Sequence, residues 1–113
     1  SRFYLFHDGS EKIEAVGPDA MVKDGHCTYL PNREWVLNDT YPDKDRLQNP
    51  YLFHVKTGRV VPLGHFRSAP EYTGEWRCDT HPRISPDGRT VVIDSPHSGE
   101  GRQLHAIDIS AIV

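Results

Sequence analysis

Cysteine is scarce in this 113-residue sequence, which contains only Cys27 and Cys78, and this excludes a disulfide-rich scaffold. No apolar run approaches the about 18 residues that a membrane-spanning helix needs. The formal net charge is −3 with both signs interspersed, so there is no basic stripe for nucleic acid. No stretch shows helical periodicity, and no segment has the order of residues of a signal peptide. Neither nucleic acid nor a membrane is therefore an expected partner, and the length fits about one small domain.

The tetrapeptide Tyr-Leu-Phe-His occurs twice, at residues 4–7 and 51–54. Each copy is followed by turn residues and by a second short apolar segment, which predicts two β-hairpins. The copies lie 47 residues apart. This period falls in the range of about 40 to 50 residues that is typical of one propeller blade.

A second, independent repeat begins at two histidines. Laid on His81, His26 opens an ungapped match at an offset of 55 residues, in which Asp39 aligns with Asp94. Two equivalent histidines therefore open two equivalent predicted strands. The two aspartates end the following strands and are expected to bond the adjacent turns rather than to bind a metal.

Together the repeats predict an all-β fold, a partial β-propeller of about two four-stranded antiparallel blades. The predicted parts are an outer hairpin at 1–17, a complete blade at 26–64 and the first three strands of the next blade at 81–110. The long connections 41–50 and 65–80 are predicted to be functional or poorly ordered loops. Two blades do not close a ring, so the expected partners are the rest of a larger propeller or further copies of the chain.

Three side chains are candidate ligands of a divalent metal: His26, Cys78 and His81. The first strands of neighbouring blades line one channel, so the two histidines are expected to lie close together. Two imidazoles and a thiolate suit Zn²⁺ with a fourth position open, and Cys78→Ser should then lower zinc content more than Cys27→Ser. Two alternatives stay open: the histidines only cap their strands by hydrogen bonds, or the two cysteines form a disulfide.

Weaker candidates for binding an anionic sugar carry guanidinium, aromatic or imidazole groups: Arg83, Arg77, Trp76, Tyr72, His97 and Arg102. Guanidinium–carboxylate pairing and aromatic stacking are the means by which a site holds a uronic acid. For Trp76 the alternative is a role in filling the core. His7 and His54 occupy matched strands and are expected to serve packing rather than chemistry.

Segments 26–29 (His-Cys-Thr-Tyr) and 78–83 (Cys-Asp-Thr-His-Pro-Arg) resemble the metal-binding blades of oligogalacturonate lyases and of propeller-type ulvan lyases. The resemblance extends over residues 26–109, although the Ser-Pro-Asp-Gly turn at 85–88 is shared with generic TolB-like repeats. It implies the same propeller fold.

In oligogalacturonate lyases, a His-Cys segment and a Gln-x-x-His-x-His segment hold Mn²⁺. Carried over, the resemblance implies His26 and His81 as ligands, while Cys78 replaces the glutamine and Arg83 replaces the last histidine. A thiolate favours zinc over manganese, so Zn²⁺ is the expected metal.

The resemblance further implies metal-assisted β-elimination on uronate-containing glycans, either pectin and oligogalacturonate or ulvan, with an acidic polysaccharide or oligosaccharide as partner. The catalytic base is expected on other blades, and residues 1–113 alone are expected to be inactive. A periplasmic or secreted location and a cytoplasmic one both remain open. The alternative function is a non-catalytic TolB-like propeller that serves as a binding scaffold.

Overall fold

The computed structural model describes all residues 1–113 and contains eleven short β-strands. One 3₁₀ turn at Gly74–Trp76 is the only helical element, and no helix is long and apolar enough to cross a membrane. All strand pairs are antiparallel and are distributed over four separate sheets. The predicted all-β class is thereby confirmed.

The hairpin sheet consists of β1 (Phe3–Phe6) and β2 (Ile13–Val16). The turn between the two strands contains Gly9, whose φ of 70° suits a residue without a side chain. Phe6 pairs with Ile13 across the hairpin. The sheet corresponds to the hairpin predicted within residues 1–17.

The central sheet contains four strands in the order β3-β4-β6-β7 and falls within the predicted segment 26–64. Its strands are β3 (Thr28–Tyr29), β4 (Trp35–Asn38), β6 (Tyr51–His54) and β7 (Val60–Pro62). All four residues of β4 are buried, because this strand is covered on both faces. β7 lies at the edge, where its proline does not interrupt a ladder.

The C-terminal sheet contains three strands in the order β11-β10-β9. They are β9 (Arg83–Ile84), β10 (Thr90–Ser95) and β11 (Gln103–Asp108). β10 alternates between intermediate and buried residues, as expected for a strand with one face on the core.

Strand pairing reproduces both sequence repeats. Tyr29 pairs with Val36, and the residues 55 positions later, Ile84 and Val91, pair in the same way. Likewise, the pairing of Phe6 with Ile13 recurs 47 residues later in the central sheet. Repeated sequence thus corresponds to repeated register.

The two strands that were predicted to open at His26 and His81 begin later in the chain. β3 and β9 contain two residues each, so His26 and His81 precede the strands instead of opening them. The backbone N–H of His26 donates to a carboxylate rather than to a ladder, and Pro82 has no N–H to donate. His81 has a φ of 38°, which is incompatible with an extended strand.

Of the two alternatives predicted for the connections 41–50 and 65–80, functional or poorly ordered loops, the second is wrong. These connections contain β5 (Leu47–Gln48) and β8 (Phe66–Arg67), which pair with each other as a small sheet. The side chain of Arg46 adds bonds to the carbonyls of Ser68 (2.9 Å) and Tyr72 (3.3 Å). The two connections are therefore held to each other by hydrogen bonds to backbone groups.

Two apolar clusters hold the sheets together. The larger joins the central and C-terminal sheets and contains Leu30, Trp35, Leu37, Leu52, Val91, Ile93 and Ile109. The smaller joins the central sheet to the hairpin sheet and is built on Met21, Val36 and Phe53. Because the first cluster aligns two repeat-related sheets, the loops that precede β3 and β9 lie side by side.

Candidate metal centre

The loop before β3 is fixed by a buried carboxylate. Asp39, 1% exposed, follows β4 and accepts a bond from the backbone N–H of His26 at 2.6 Å. The same carboxylate lies 3.1 Å from Nδ1 of His26, with its second oxygen at 3.3 Å. Gly25 makes this contact feasible, since a Cβ there would lie 2.0 Å from the carbonyl oxygen of Asp39.

Asp39 also holds the loop before β9. The hydroxyl of Thr80, which is fully buried, donates to Oδ2 of Asp39. The carbonyl of Thr80 in turn accepts from the backbone N–H of Asp94 at 2.9 Å. One carboxylate thus joins the two loops that carry the histidines, which is a structural role for Asp39.

The two imidazoles face each other with Nε2 of His26 3.0 Å from Nε2 of His81. Their ring centroids are 4.0 Å apart and the rings are nearly perpendicular, at 87°. The carboxylate of Asp39 favours a proton on Nδ1 of His26, which leaves the Nε2 lone pair directed at His81. Two nitrogens on a tetrahedral Zn²⁺ would be about 3.3 Å apart, given bonds of about 2.0–2.1 Å.

Asp79 completes a three-residue cluster. One ligand atom each from His26, Asp79 and His81 lie within 4.8 Å of one another. Asp79 is 9% exposed, and its Oδ1 is buried without a hydrogen-bond partner, while Oδ2 is paired with Arg77. Two imidazoles and one carboxylate oxygen are a donor set that zinc adopts when a fourth position stays open.

Cys78, the predicted third ligand, is not part of this cluster. Cys78 is buried and Cys27 is exposed, and both thiols are free, so the alternative of a disulfide between them is wrong. Burial, followed by the charge of Asp94, raises the pKa of the Cys78 thiol. Because a metal ion deprotonates a thiol that coordinates it, Cys78 is disfavoured as a ligand by its position outside the cluster rather than by this pKa.

Asp79 was not predicted as a metal ligand from the sequence, because the thiol of Cys78 is the softer donor. The usable signal was the spacing Asp-x-His, which places a carboxylate only two residues from a predicted histidine ligand.

A cleft of about 300 Å³ opens beside the cluster, between the loop before β9 and β11. Its lining residues are Arg77, Cys78, Asp79, His81, Asp94, Arg102, Gln103 and Leu104. Two predicted sugar-binding residues, Arg77 and Arg102, therefore share one cleft with His81. Arg102 forms no ion pair within the chain.

The other four predicted sugar-binding residues, Arg83, Trp76, Tyr72 and His97, do not line this cleft. Arg83 lies on β9, where it donates to Asp94 and to the carbonyl of His81, both at 2.9 Å. Trp76 is 67% exposed, which rules out the core-filling alternative.

His97 belongs to a separate aromatic contact, with ring centroids 4.8 Å from Phe66 and 4.2 Å from His105. Its Nδ1 lies 2.8 Å from the hydroxyl of Ser95. Burial and the neighbouring His105 lower the pKa of His97, so this imidazole is neutral at pH 7. Its observed contacts are those of a packing residue.

The geometry predicts different losses for two adjacent substitutions. Asp79→Asn should lower Zn²⁺ affinity at least as much as the about 10- to 100-fold that loss of an outer-shell partner costs. Cys78→Ser should leave the affinity within about 3-fold, because its sulfur is outside the cluster. Metal analysis after dialysis and competition with a chelating dye measure both. Retention of zinc by Asp79→Asn with loss in Cys78→Ser would instead establish the thiolate set His26, Cys78 and His81.

Comparison with known proteins shows no family for this chain. No protein family matches the chain, and no solved structure matches it. The chain is similar to the uncharacterized peptidase YuxL of Bacillus subtilis (strain 168), at 33% identity over 97 residues. That match covers 82% of this chain but 13% of the relative, so the chain spans a small part of the relative's length.

Proposed function

We propose that residues 1–113 form about two blades of a β-propeller whose full-length protein cleaves uronate-containing glycans by metal-assisted β-elimination. The observation that carries the proposal is the His26–Asp79–His81 cluster beside a cleft with two guanidinium groups. A cation and guanidinium groups together form a site suited to a sugar carboxylate.

The propeller interpretation is supported by the arrangement of the sheets. The central sheet is a sequential antiparallel array of four strands, as a blade is. It packs against a second sheet with the same sequence repeat and the same register at Tyr29–Val36 and Ile84–Val91. The two histidines come from equivalent loops of these two sheets.

The residues fit a divalent cation, with Zn²⁺ ahead of Mn²⁺. The site offers two imidazole nitrogens and a carboxylate oxygen of Asp79, and Oδ1 of this carboxylate has no hydrogen-bond partner. Nitrogen and oxygen donors of these types are ligands that zinc takes. A bound divalent cation would neutralise the uronate carboxylate and thereby lower the barrier to removing the proton at C5.

The chain's own residues would bind and orient the sugar. Arg102 has no acidic partner and lines the cleft, so its guanidinium is available to pair with a glycan carboxylate. Arg77 already pairs with Asp79, which limits its share in binding substrate. The base that accepts the C5 proton would lie on another blade.

The test is an assay of the full-length protein on polygalacturonate and ulvan, recording the absorbance of the unsaturated uronate product. We expect product formation that a chelator abolishes and added Zn²⁺ restores. The matched control is the double variant His26→Ala/His81→Ala, which should remain inactive when zinc is added. Absence of product on every uronate polymer with metal present would contradict the lyase proposal.

The second candidate is a non-catalytic TolB-like propeller that serves as a binding scaffold. The similarity to a protein named a peptidase favours it, because the match covers 13% of that protein and a catalytic part would lie outside the matched region. Under this alternative the full-length protein hydrolyses peptides, and His26→Ala/His81→Ala leaves the rate unchanged. Peptide hydrolysis without uronate cleavage would establish the scaffold.

A further inference from the structure

Two of the three guanidinium nitrogens of Arg77 contact a single oxygen of Asp79. Its Nη2 lies 2.8 Å and its Nε 3.0 Å from Oδ2 of Asp79, so the guanidinium engages only one side of the carboxylate. The other oxygen, Oδ1, is buried and has no partner. A buried carboxylate oxygen without a partner is costly, so Oδ1 is available to accept a ligand.

A second contact connects Arg77, through Tyr41, with His26. Its Cζ lies 5.6 Å from the ring centroid of Tyr41, within the range of a cation–π interaction. The Tyr41 ring meets His26 edge-on, with centroids 5.5 Å apart at 69°. A chain of contacts therefore runs from Asp79 through Arg77 and Tyr41 to His26 and His81, the residues of the cluster.

From this chain of contacts we infer that Arg77 is a positioning residue for the divalent cation, with Tyr41 as its support, an inference that rests on the proposed function. By occupying Oδ2, Arg77 restricts Asp79 to binding through one oxygen. A single carboxylate oxygen and two imidazoles suit Zn²⁺ with its four ligands. The same restriction disfavours Ca²⁺, which takes six to eight oxygens and often binds a carboxylate through both.

Arginine and lysine differ in the property that matters here. Arginine presents a planar fork of donors in fixed geometry, whereas lysine is a point charge on a flexible chain. If Arg77 acts only by its positive charge, Arg77→Lys preserves metal binding. If it acts by orienting Asp79, the lysine variant remains impaired.

The test measures Zn²⁺ and Ca²⁺ binding by the full-length protein in equilibrium dialysis, with the visible spectrum of bound Co²⁺ as a report of coordination number. We expect Arg77→Met and Arg77→Lys to lower Zn²⁺ affinity by about 10- to 100-fold, the usual effect of losing an outer-shell partner. Both should reduce the preference for Zn²⁺ over Ca²⁺ and change the Co²⁺ spectrum. Tyr41→Phe should match the unmodified protein because the ring remains, and Tyr41→Ala should show part of the loss.

The matched control is Arg102→Met, which removes the second guanidinium of the cleft without touching Asp79 and should leave Zn²⁺ affinity within about 3-fold. Arg77 is 56% exposed in its side chain, so its variants should fold; thermal melting of the metal-free proteins verifies this. Normal Zn²⁺ affinity in Arg77→Met, or full rescue by Arg77→Lys, overturns the positioning role while leaving the cation site intact. No more zinc in the unmodified protein than in His26→Ala/His81→Ala overturns the cation site and this inference together.

Discussion

Replacing His26 and His81 together with alanine should reduce Zn²⁺ affinity by more than about 100-fold, because loss of one outer-shell partner alone costs about 10- to 100-fold. The Nε2 atoms of these residues, 3.0 Å apart, supply two of the three donors in the cluster. The remaining carboxylate oxygen of Asp79 would hold a cation only weakly. Isothermal titration calorimetry on the full-length protein gives the affinity, and the uronate assay should fall to background in parallel.

The control for this experiment is His7→Ala. His7 lies on the hairpin sheet side of the molecule and contacts Glu14 at 3.3 Å, outside the metal cluster. The His7→Ala substitution removes one imidazole from the chain without changing the site, so the zinc affinity should be unchanged. Equal losses in the two proteins would mean that zinc binds to scattered histidines, and an unaffected double variant would place any metal elsewhere.

Gly25→Ala should lower the free energy of unfolding by about 3 kcal/mol, the upper end of the usual cost of overpacking. The new Cβ would lie 2.0 Å from the carbonyl oxygen of Asp39 and 2.8 Å from Oδ1 of Asn38. Neither neighbour has room to move, because Asn38 is fully buried in β4 and Asp39 is 1% exposed. Urea unfolding measures the loss, and displacement of His26 should weaken zinc binding as well.

Gly58→Ala is the comparison for this substitution. Gly58 has a φ of 73° and no atom within 4 Å of an added Cβ, so the change adds only backbone strain. That strain costs about 1–2 kcal/mol and should leave zinc affinity unaltered. Similar effects of the two alanines on zinc binding would show that the close contact of Gly25 with Asp39 does not position His26.

The sequence predicted the main sheets because their signals are local and repeated. Turn residues such as Gly9 mark the hairpins, and two copies of one pattern predict one register twice. The small sheet of β5 and β8 had no such signal. Its strands have two residues each and form only because two distant loops meet, which is a tertiary effect.

The same distinction between local signals and tertiary effects applies to the residues of the site. The contact between His26 and His81 follows from the repeat, since equivalent loops of adjacent sheets lie side by side. The choice of Asp79 over Cys78 depends on which side chain turns toward the histidines and on the ion pair with Arg77. Such orientations are set by packing in three dimensions, so the residue types alone favoured the sulfur.

The bond between Thr80 and Asp39 has a consequence for motion. The two imidazoles are carried by different sheets, which are held together mainly by apolar packing that has no preferred direction. If one sheet slides over the other, the Nε2 atoms separate, unless a directional bond resists the shear. The hydrogen bond from the hydroxyl of Thr80 to Asp39 is such a bond, and the same carboxylate contacts Nδ1 of His26. The distance between Nε2 of His26 and Nε2 of His81 therefore depends directly on how the central and C-terminal sheets are aligned.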